Sequence, residues 1–189
     1  GVDLVGVVHG VRLFAPMMLE AAAQDPSYRG HITNTASMAG LLTAPNMGIY
    51  NAAKAAVVSL TETLYHDLNL VTDQIGASLL CPYFVPTGIT SSERNRQDAP
   101  QAAQLTKSQI IGQAMSNKAV SSGKITAGEI AHRVFDAISA NQFYVFSHPK
   151  ALGNVQSRME NIVSVTNPAD PFLARPEIGE ALRAQLRAA

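Results

Sequence analysis

One cysteine, Cys81, occurs in 189 residues, which excludes an internal disulfide framework and fits a reducing compartment, so a cytoplasmic location is expected. Charge of one sign is equally scarce, since 14 Lys and Arg balance 14 Asp and Glu. Without a basic or acidic excess there is no electrostatic footprint for nucleic acid or an anionic membrane surface, and neither partner is expected. No apolar run is read as membrane-spanning, and the chain opens on GVDLVG with neither an initiator Met nor a basic, apolar leader. His9, His31, His66, His132 and His148 are scattered, without Cys or carboxylates at ligand spacing, so no metal site is expected. A G-x-S-x-G elbow is missing, which disfavours a serine hydrolase. Missing too is a G-x-x-x-G-x-G turn after a strand, with an acidic residue beyond it to hold a ribose.

What is present is the composition of one ordinary globular domain, 47% hydrophobic and 15% charged. The spacing predicts a helix over residues 2–23, with Leu4, Val8, Val11, Phe14, Ala15, Met18, Leu19 and Ala22 as its apolar stripe. Pro16 is expected to bend it or to mark a local break, and Gly6 and Gly10 to admit a close neighbour. Residues 31–37 alternate like a strand and lead through a Gly/Pro/Asn-rich loop, 40–48, into a helix from Tyr50 to about Val71. The run 75–81 is apolar and partly β-branched, as a buried parallel strand is, and Pro82 ends it. Strand, helix and strand make a β-α-β unit with a right-handed crossover.

Ser37 closes the first strand, and Tyr50 and Lys54 stand one turn apart on one face of the helix. In a parallel α/β sheet the carboxyl ends of the strands are where ligands bind, so the three side chains can converge on one crevice with the loop 83–90. A free phenol titrates near ~10 and exchanges protons poorly at neutral pH, but a neighbouring ammonium favours the phenolate. A phenol with a cation beside it is therefore a candidate general acid or base for an alcohol or carbonyl, and a serine hydroxyl a candidate donor to the developing oxyanion.

Beyond that unit, 88–124 is polar with an apolar-periodic patch at Leu105, Ile110, Ile111 and Met115, enough for one or two short helices in a segment that covers a site. Thr126 with Glu129 reads as a capping box for a helix to about residue 140 that turns Ile130, Val134, Phe135 and Ile138 inward. Residues 143–147 form a short aromatic strand. Helices are expected over 151–165 and from 177 to the end.

Ser37, then thirteen residues later Tyr50-Asn51-Ala52-Ala53-Lys54, set between NTASMAG and LLCPYFVPTGI, resembles the catalytic signature of the short-chain dehydrogenase/reductase family. The resemblance implies a single partial Rossmann-like domain over 1–189, an α/β doubly wound parallel sheet equivalent to the C-terminal half to two-thirds of the family's fold. It implies hydride transfer between NAD or NADP and a small-molecule alcohol, ketone or aldehyde. By the same resemblance Tyr50 is the acid/base, Lys54 holds the nicotinamide ribose, Ser37 polarises the carbonyl, and Pro82, Val85 and Thr87 approach the cofactor. Tyr83 stands where the family usually has glycine, and Asp3 where it often has a catalytic Asn acting through its backbone carbonyl. Met38, Ala44, Asn46, Met47 and Tyr83 are expected to line a mostly apolar substrate pocket.

Two alternatives stay open from the residues alone: a non-catalytic binding or scaffold protein, and a dehydratase or epimerase on the same architecture. Small and apolar residues on the first helix and on the Tyr50 helix, notably Ala55, Ala56, Val57 and Leu60, predict a homodimer or homotetramer. The missing glycine-rich turn leads to the expectation that the natural protein is longer and that these 189 residues alone are inactive.

Overall fold

A computed structural model describes residues 3–89 and 106–187. Three parallel strands, β1 (Gly30–Thr35), β2 (Ile75–Cys81) and β3 (Tyr144–Phe146), lie in the order β1-β2-β3. Register runs from Gly30 opposite Ile75 to Thr35 opposite Leu80, and from Leu79 opposite Tyr144 to Cys81 opposite Phe146. Around them are α1 (Val5–Gln24), α2 (Gly48–Val71), α3 (Lys107–Ser121), α4 (Ala127–Ser139), α5 (Leu152–Val163) and α6 (Pro176–Arg187). The α/β class with parallel pairing agrees with the sequence reading, and β2 occupies the expected residues.

β2 buries Ile75, Ala77, Leu79 and Cys81 on one side of its pleat, and both core clusters rest on that side. In the first, Ala15 and Ala22 of α1 and Leu64 and Leu68 of α2 meet Ile75 and Ala77. In the second, Ala36, Met38, Val57 and Val58 meet Leu79 and Cys81. α2 thus crosses from β1 to β2 along the same face that α1 covers, which fixes its amino end beside the carboxyl ends of the strands.

Several expectations need correction. α1 presents Leu4, Val7, Val11, Ala15, Met18, Leu19 and Ala22 to the core, while Val8 and Phe14 are exposed together with Val5, Leu13 and Met17. A helix apolar on two sides has no single stripe, and the sheet took the line through Val7, Val11, Ala15, Leu19 and Ala22. The helix runs through Pro16 unbroken, and among the described residues nothing lies within 4 Å of a Cβ built on Gly6 or Gly10, so neither glycine admits a close neighbour there. Val5–Gln24 is also long and apolar enough by length and composition to cross a membrane, contrary to the reading that no such run exists. One face of it packs on the sheet.

α4 starts at the expected capping box: Thr126 Oγ1 accepts the Glu129 N–H at 3.2 Å and Glu129 Oε2 accepts the Thr126 N–H at 2.7 Å. Hydrogen bonds from Thr126, backbone first, hold the Glu129 carboxyl below its ordinary range. Its buried line is Ile130 and Ala137, whereas Phe135 is 67% exposed. Phe135 falls about 140° around the helix from Ile130 and cannot share its face.

The segment 88–124 contains one helix, α3, in its described part. Leu105 lies outside the described residues.

Candidate active site

The three side chains singled out by spacing are mounted where the chain leaves β1 and on the first turns of α2. α2 begins at Gly48, directly after Met47, so Tyr50 sits in its first turn and Lys54 one turn on. The helix is pinned to β1 by a buried pair, Asn34 Nδ2 donating to Thr61 Oγ1 at 3.1 Å, with Thr61 bonded back to the Val57 carbonyl at 2.7 Å. Gly40 is required by contact: a Cβ there would lie 2.7 Å from the carbonyl carbon and oxygen of Lys54. The short 3₁₀ turn Met38–Gly40 therefore rests directly on the backbone of α2 at the lysine.

Ser37 precedes that turn and caps it. Its Oγ accepts the Ala39 N–H at 3.1 Å and donates to the Pro82 carbonyl at 3.4 Å, a long contact. The same carbonyl accepts the Met38 N–H at 2.9 Å. Because β1 and β2 are parallel, Ser37 and Pro82 both leave the sheet at the same edge.

Lys54 is 8% exposed. Its Nζ donates to the Thr35 carbonyl at 3.3 Å, pairs with Asp3 Oδ1 at 3.3 Å, and stands 5.7 Å from the centre of the Tyr50 ring. That last distance is within cation–π range. Among the described residues its third N–H is unclaimed and the Tyr50 hydroxyl makes no hydrogen bond, so both keep their hydrogen-bonding capacity. Asp3 reaches the lysine through its carboxylate and not through the backbone, an ion pair that the resemblance did not suggest.

At the carboxyl end of β2, Val85 is buried, and Thr87 Oγ1 accepts the Ile89 N–H at 3.4 Å. Tyr83 has no left-handed backbone, so a side chain at the usual glycine position is not strained there. Its ring lies against Phe84 and, edge-on, His148, and burial pushes its phenol up. Cys81, fully buried behind Ser37, is pushed up to about 12 by burial and is inert as a nucleophile. No group of His, Cys, Asp and Glu among the described residues is arranged to hold a metal ion.

The residues expected around the substrate divide. Met38 has no exposed surface and belongs to the core, which corrects its assignment to the pocket. Ala44 and Asn46 line an open groove of about 460 Å³ with Gly40, Asn51 and Arg158, and none of Ser37, Tyr50 and Lys54 lines it. Met47 is half-buried at the start of α2 and Tyr83 is partly exposed at the end of β2. Asn46 has φ 62° and its Oδ1 accepts the Ser108 hydroxyl at 3.1 Å, which ties α3 to the loop before Tyr50. Missed by sequence reasoning were the Thr35 carbonyl that holds Lys54, and Ser147, whose Oγ accepts the Tyr83 N–H at 2.8 Å. The first acts through backbone and left no signal in residue type.

A sequence profile of the family described as short chain dehydrogenase matches residues 1–98. The CLA biosynthesis dehydrogenase/reductase of Lactiplantibacillus plantarum is 29% identical over 167 residues, 86% of this chain and 56% of that protein. Human retinol dehydrogenase 10 is 35% identical over 106 residues, 55% of this chain and 29% of that protein. Among solved structures, a short chain dehydrogenase/reductase from Burkholderia phymatum in complex with NAD superposes with a TM-score of 0.85 at 51% identity, covering 90% of this chain and 59% of that one. This chain thus spans a little over half the length of the relatives that match most of it. With the profile match over residues 1–98 and the parallel α/β fold in agreement, the chain belongs to the short-chain dehydrogenase/reductase family.

Proposed function

We propose that the full-length protein is an NAD(P)-dependent oxidoreductase that interconverts an alcohol and a ketone or aldehyde at Ser37, Tyr50 and Lys54. The observation that carries this reading is the buried Lys54 ammonium, held by the Thr35 carbonyl and Asp3 and facing the ring of a phenol whose hydroxyl is free among the described residues. Burying an ammonium is costly unless its protons are placed. Two are placed within the chain, and the third suits a hydroxyl of a ribose.

The residues present fit the nicotinamide and ribose portion of the cofactor in the chemistry of their donors. Lys54 would hold the ribose, and the loop of Pro82, Val85 and Thr87 would line the nicotinamide side, its backbone unstrained at Tyr83. The nicotinamide supplies the hydride exchange. In the reducing direction, Ser37 gives up its long contact to Pro82 and donates to the substrate carbonyl, while the Ala39 N–H stays on its oxygen and makes the hydroxyl a stronger donor. Pro82 keeps the Met38 N–H and is not left unpaired. Tyr50 then transfers its proton to the oxygen that becomes the alcohol. Oxidation of an alcohol is the reverse.

We also infer a homodimer or homotetramer. The outer face of α1, with Val5, Leu13, Phe14 and Met17 exposed, and Ala55 on the outer side of α2 support it. Val57, one of the residues that suggested it from sequence, is core instead.

Titration of full-length protein with NADH and NADPH, followed by a panel of secondary alcohols and ketones, tests the main reading. Cofactor binding with oxidation or reduction is expected, and light scattering should give more than one copy. Cofactor binding without turnover of any panel member would overturn the reading in favour of a binding protein. Water loss or inversion without net oxidation would favour a dehydratase or epimerase.

A further inference from the structure

Ser37 is held by a peptide unit that is itself fastened from behind. The carbonyl of Pro82 and the N–H of Tyr83 belong to one planar peptide. Its carbonyl accepts from Ser37 Oγ and from the Met38 N–H, and its N–H donates to Ser147 Oγ at 2.8 Å. Ser147 is completely buried just after β3, and its hydroxyl shares a second hydrogen bond, 2.8 Å, with His148 Nδ1. Arg133 of α4 fixes the backbone at this point, donating to the carbonyls of Phe146 and Ser147 at 3.3 and 2.7 Å. The Tyr83 and His148 rings meet edge-on at 5.8 Å and brace the same corner.

We propose that Ser147 and His148 are positioning residues for Ser37, acting through the Pro82–Tyr83 peptide. The inference rests on the catalytic role given to Ser37 above. The Ser147 hydroxyl fixes the tilt of the peptide, and the peptide fixes where the Ser37 hydroxyl waits. His148 sets the rotamer of Ser147. An otherwise ordinary Ser-His pair at the end of an aromatic strand thereby bears on the oxyanion donor from the far side of β2. It is no nucleophile and base of its own: the serine is sealed from solvent, and its oxygen is occupied by the Tyr83 N–H.

The test is a kinetic cycle in the full-length protein with its nicotinamide cofactor. Ser147→Ala is expected to lower kcat about tenfold, with the cofactor KM changed less than about twofold, the low end of the roughly 10–100-fold that removing the outer support of a metal ligand costs. His148→Phe keeps a ring against Tyr83 and removes Nδ1, and a loss of about threefold is expected, with His148→Asn restoring part of it. In a Ser37→Ala background neither change should lower kcat further. Equal losses in the two backgrounds would show a general structural effect and overturn the proposal. Should Ser147→Ala not fold, His148→Phe carries the same cycle from a partly exposed position. Ser37→Ala alone separates the two levels of inference: if it leaves kcat intact, the role of Ser37 fails and the proposal falls with it, whereas a large Ser37→Ala effect with additive Ser147 and His148 losses sinks the proposal only.

Discussion

α2 and α3 are both helices beside the candidate site, and they are held in opposite ways. α2 buries Lys54, Val57, Val58, Thr61, Leu64 and Leu68, and is hydrogen-bonded to β1 through Asn34. α3 buries no residue at all. It is closed on itself by a capping box between Thr106 and Gln109, touches the loop before α2 through Ser108 and Asn46, and faces α6 across an apolar groove of about 380 Å³ lined by Ile110, Met115, Ile178 and Leu182. The groups proposed to hold and move a proton are mounted on the first kind of support. The second kind would serve a segment that covers a site and lets substrate in and out, the role expected of 88–124.

The comparison is tested first where the effect is largest. Tyr50→Phe should lower turnover of the full-length enzyme by about a thousandfold or more, with cofactor affinity changed little, because only the transferable proton is removed. Near-normal turnover in steady-state assays would remove the chemistry from α2. Lys54→Met should reduce turnover and cofactor affinity together, since one ammonium is proposed to serve both. A calorimetric titration that finds the cofactor bound as before would leave the lysine with Tyr50 alone.

Stability is expected to divide along the same line. Leu79→Ala, in the core beneath α2, should cost about 3 kcal/mol in a denaturant titration. Ile110→Ala on α3 should cost about 0.5 kcal/mol or less, as exposed substitutions do. Similar costs at the two positions would mean that α3 is as firmly integrated as α2.

β2 was legible because its length, its apolar residues and the proline after it all point one way, and its observed span is the expected one. The Tyr50 helix was legible from its period, although it starts at Gly48 in the unpunctuated end of a loop. The facing of helices was not legible. Phe14 and Phe135 are exposed and Met38 is sealed in the core, because which side of an element meets the sheet is settled by its neighbours. Spacing placed Tyr50 and Lys54 on one face, but the hold on the lysine is a backbone carbonyl and an acidic residue fifty-one positions away. Neither follows from a motif. Ser147 carries no pattern at all, and only the geometry relates it to Ser37.

pH offers a smaller lever on the rigid block. Burial raises the Cys81 thiol to about 12 from an ordinary 9.0. An acid whose pKa is raised by folding ionises first in the unfolded chain, so stability is fully present below about pH 9 and is lost as pH rises toward 12. Denaturant midpoints that fall across that window are expected, and Cys81→Ser should flatten the fall. Thiol-directed alkylation near pH 8 should be negligible in the folded protein, and rapid labelling would mean that the core under Ser37 opens readily.

The finest test concerns a polar tie between the two regions, from Ser108 to Asn46. Asn46 has a left-handed backbone, which asparagine tolerates and glycine adopts freely, so Asn46→Gly deletes the acceptor for Ser108 without adding backbone strain. Asn46→Ala would confuse the two effects, since a plain Cβ in that region costs roughly 1–2 kcal/mol. Global stability should therefore change by about 0.5 kcal/mol or less in the glycine variant. What should change is local: amides of α3 should exchange faster, while those of β1 and β2 keep the protection of the parent. Substrate KM should rise severalfold at nearly constant kcat, because Asn46 lies outside the group that moves the proton and bears on the groove it lines and on the helix beside it. If protection of the strands fell in step with that of α3, the two regions would open as one cooperative unit, and the distinction between a fixed catalytic mount and a loosely held cover would not describe this protein.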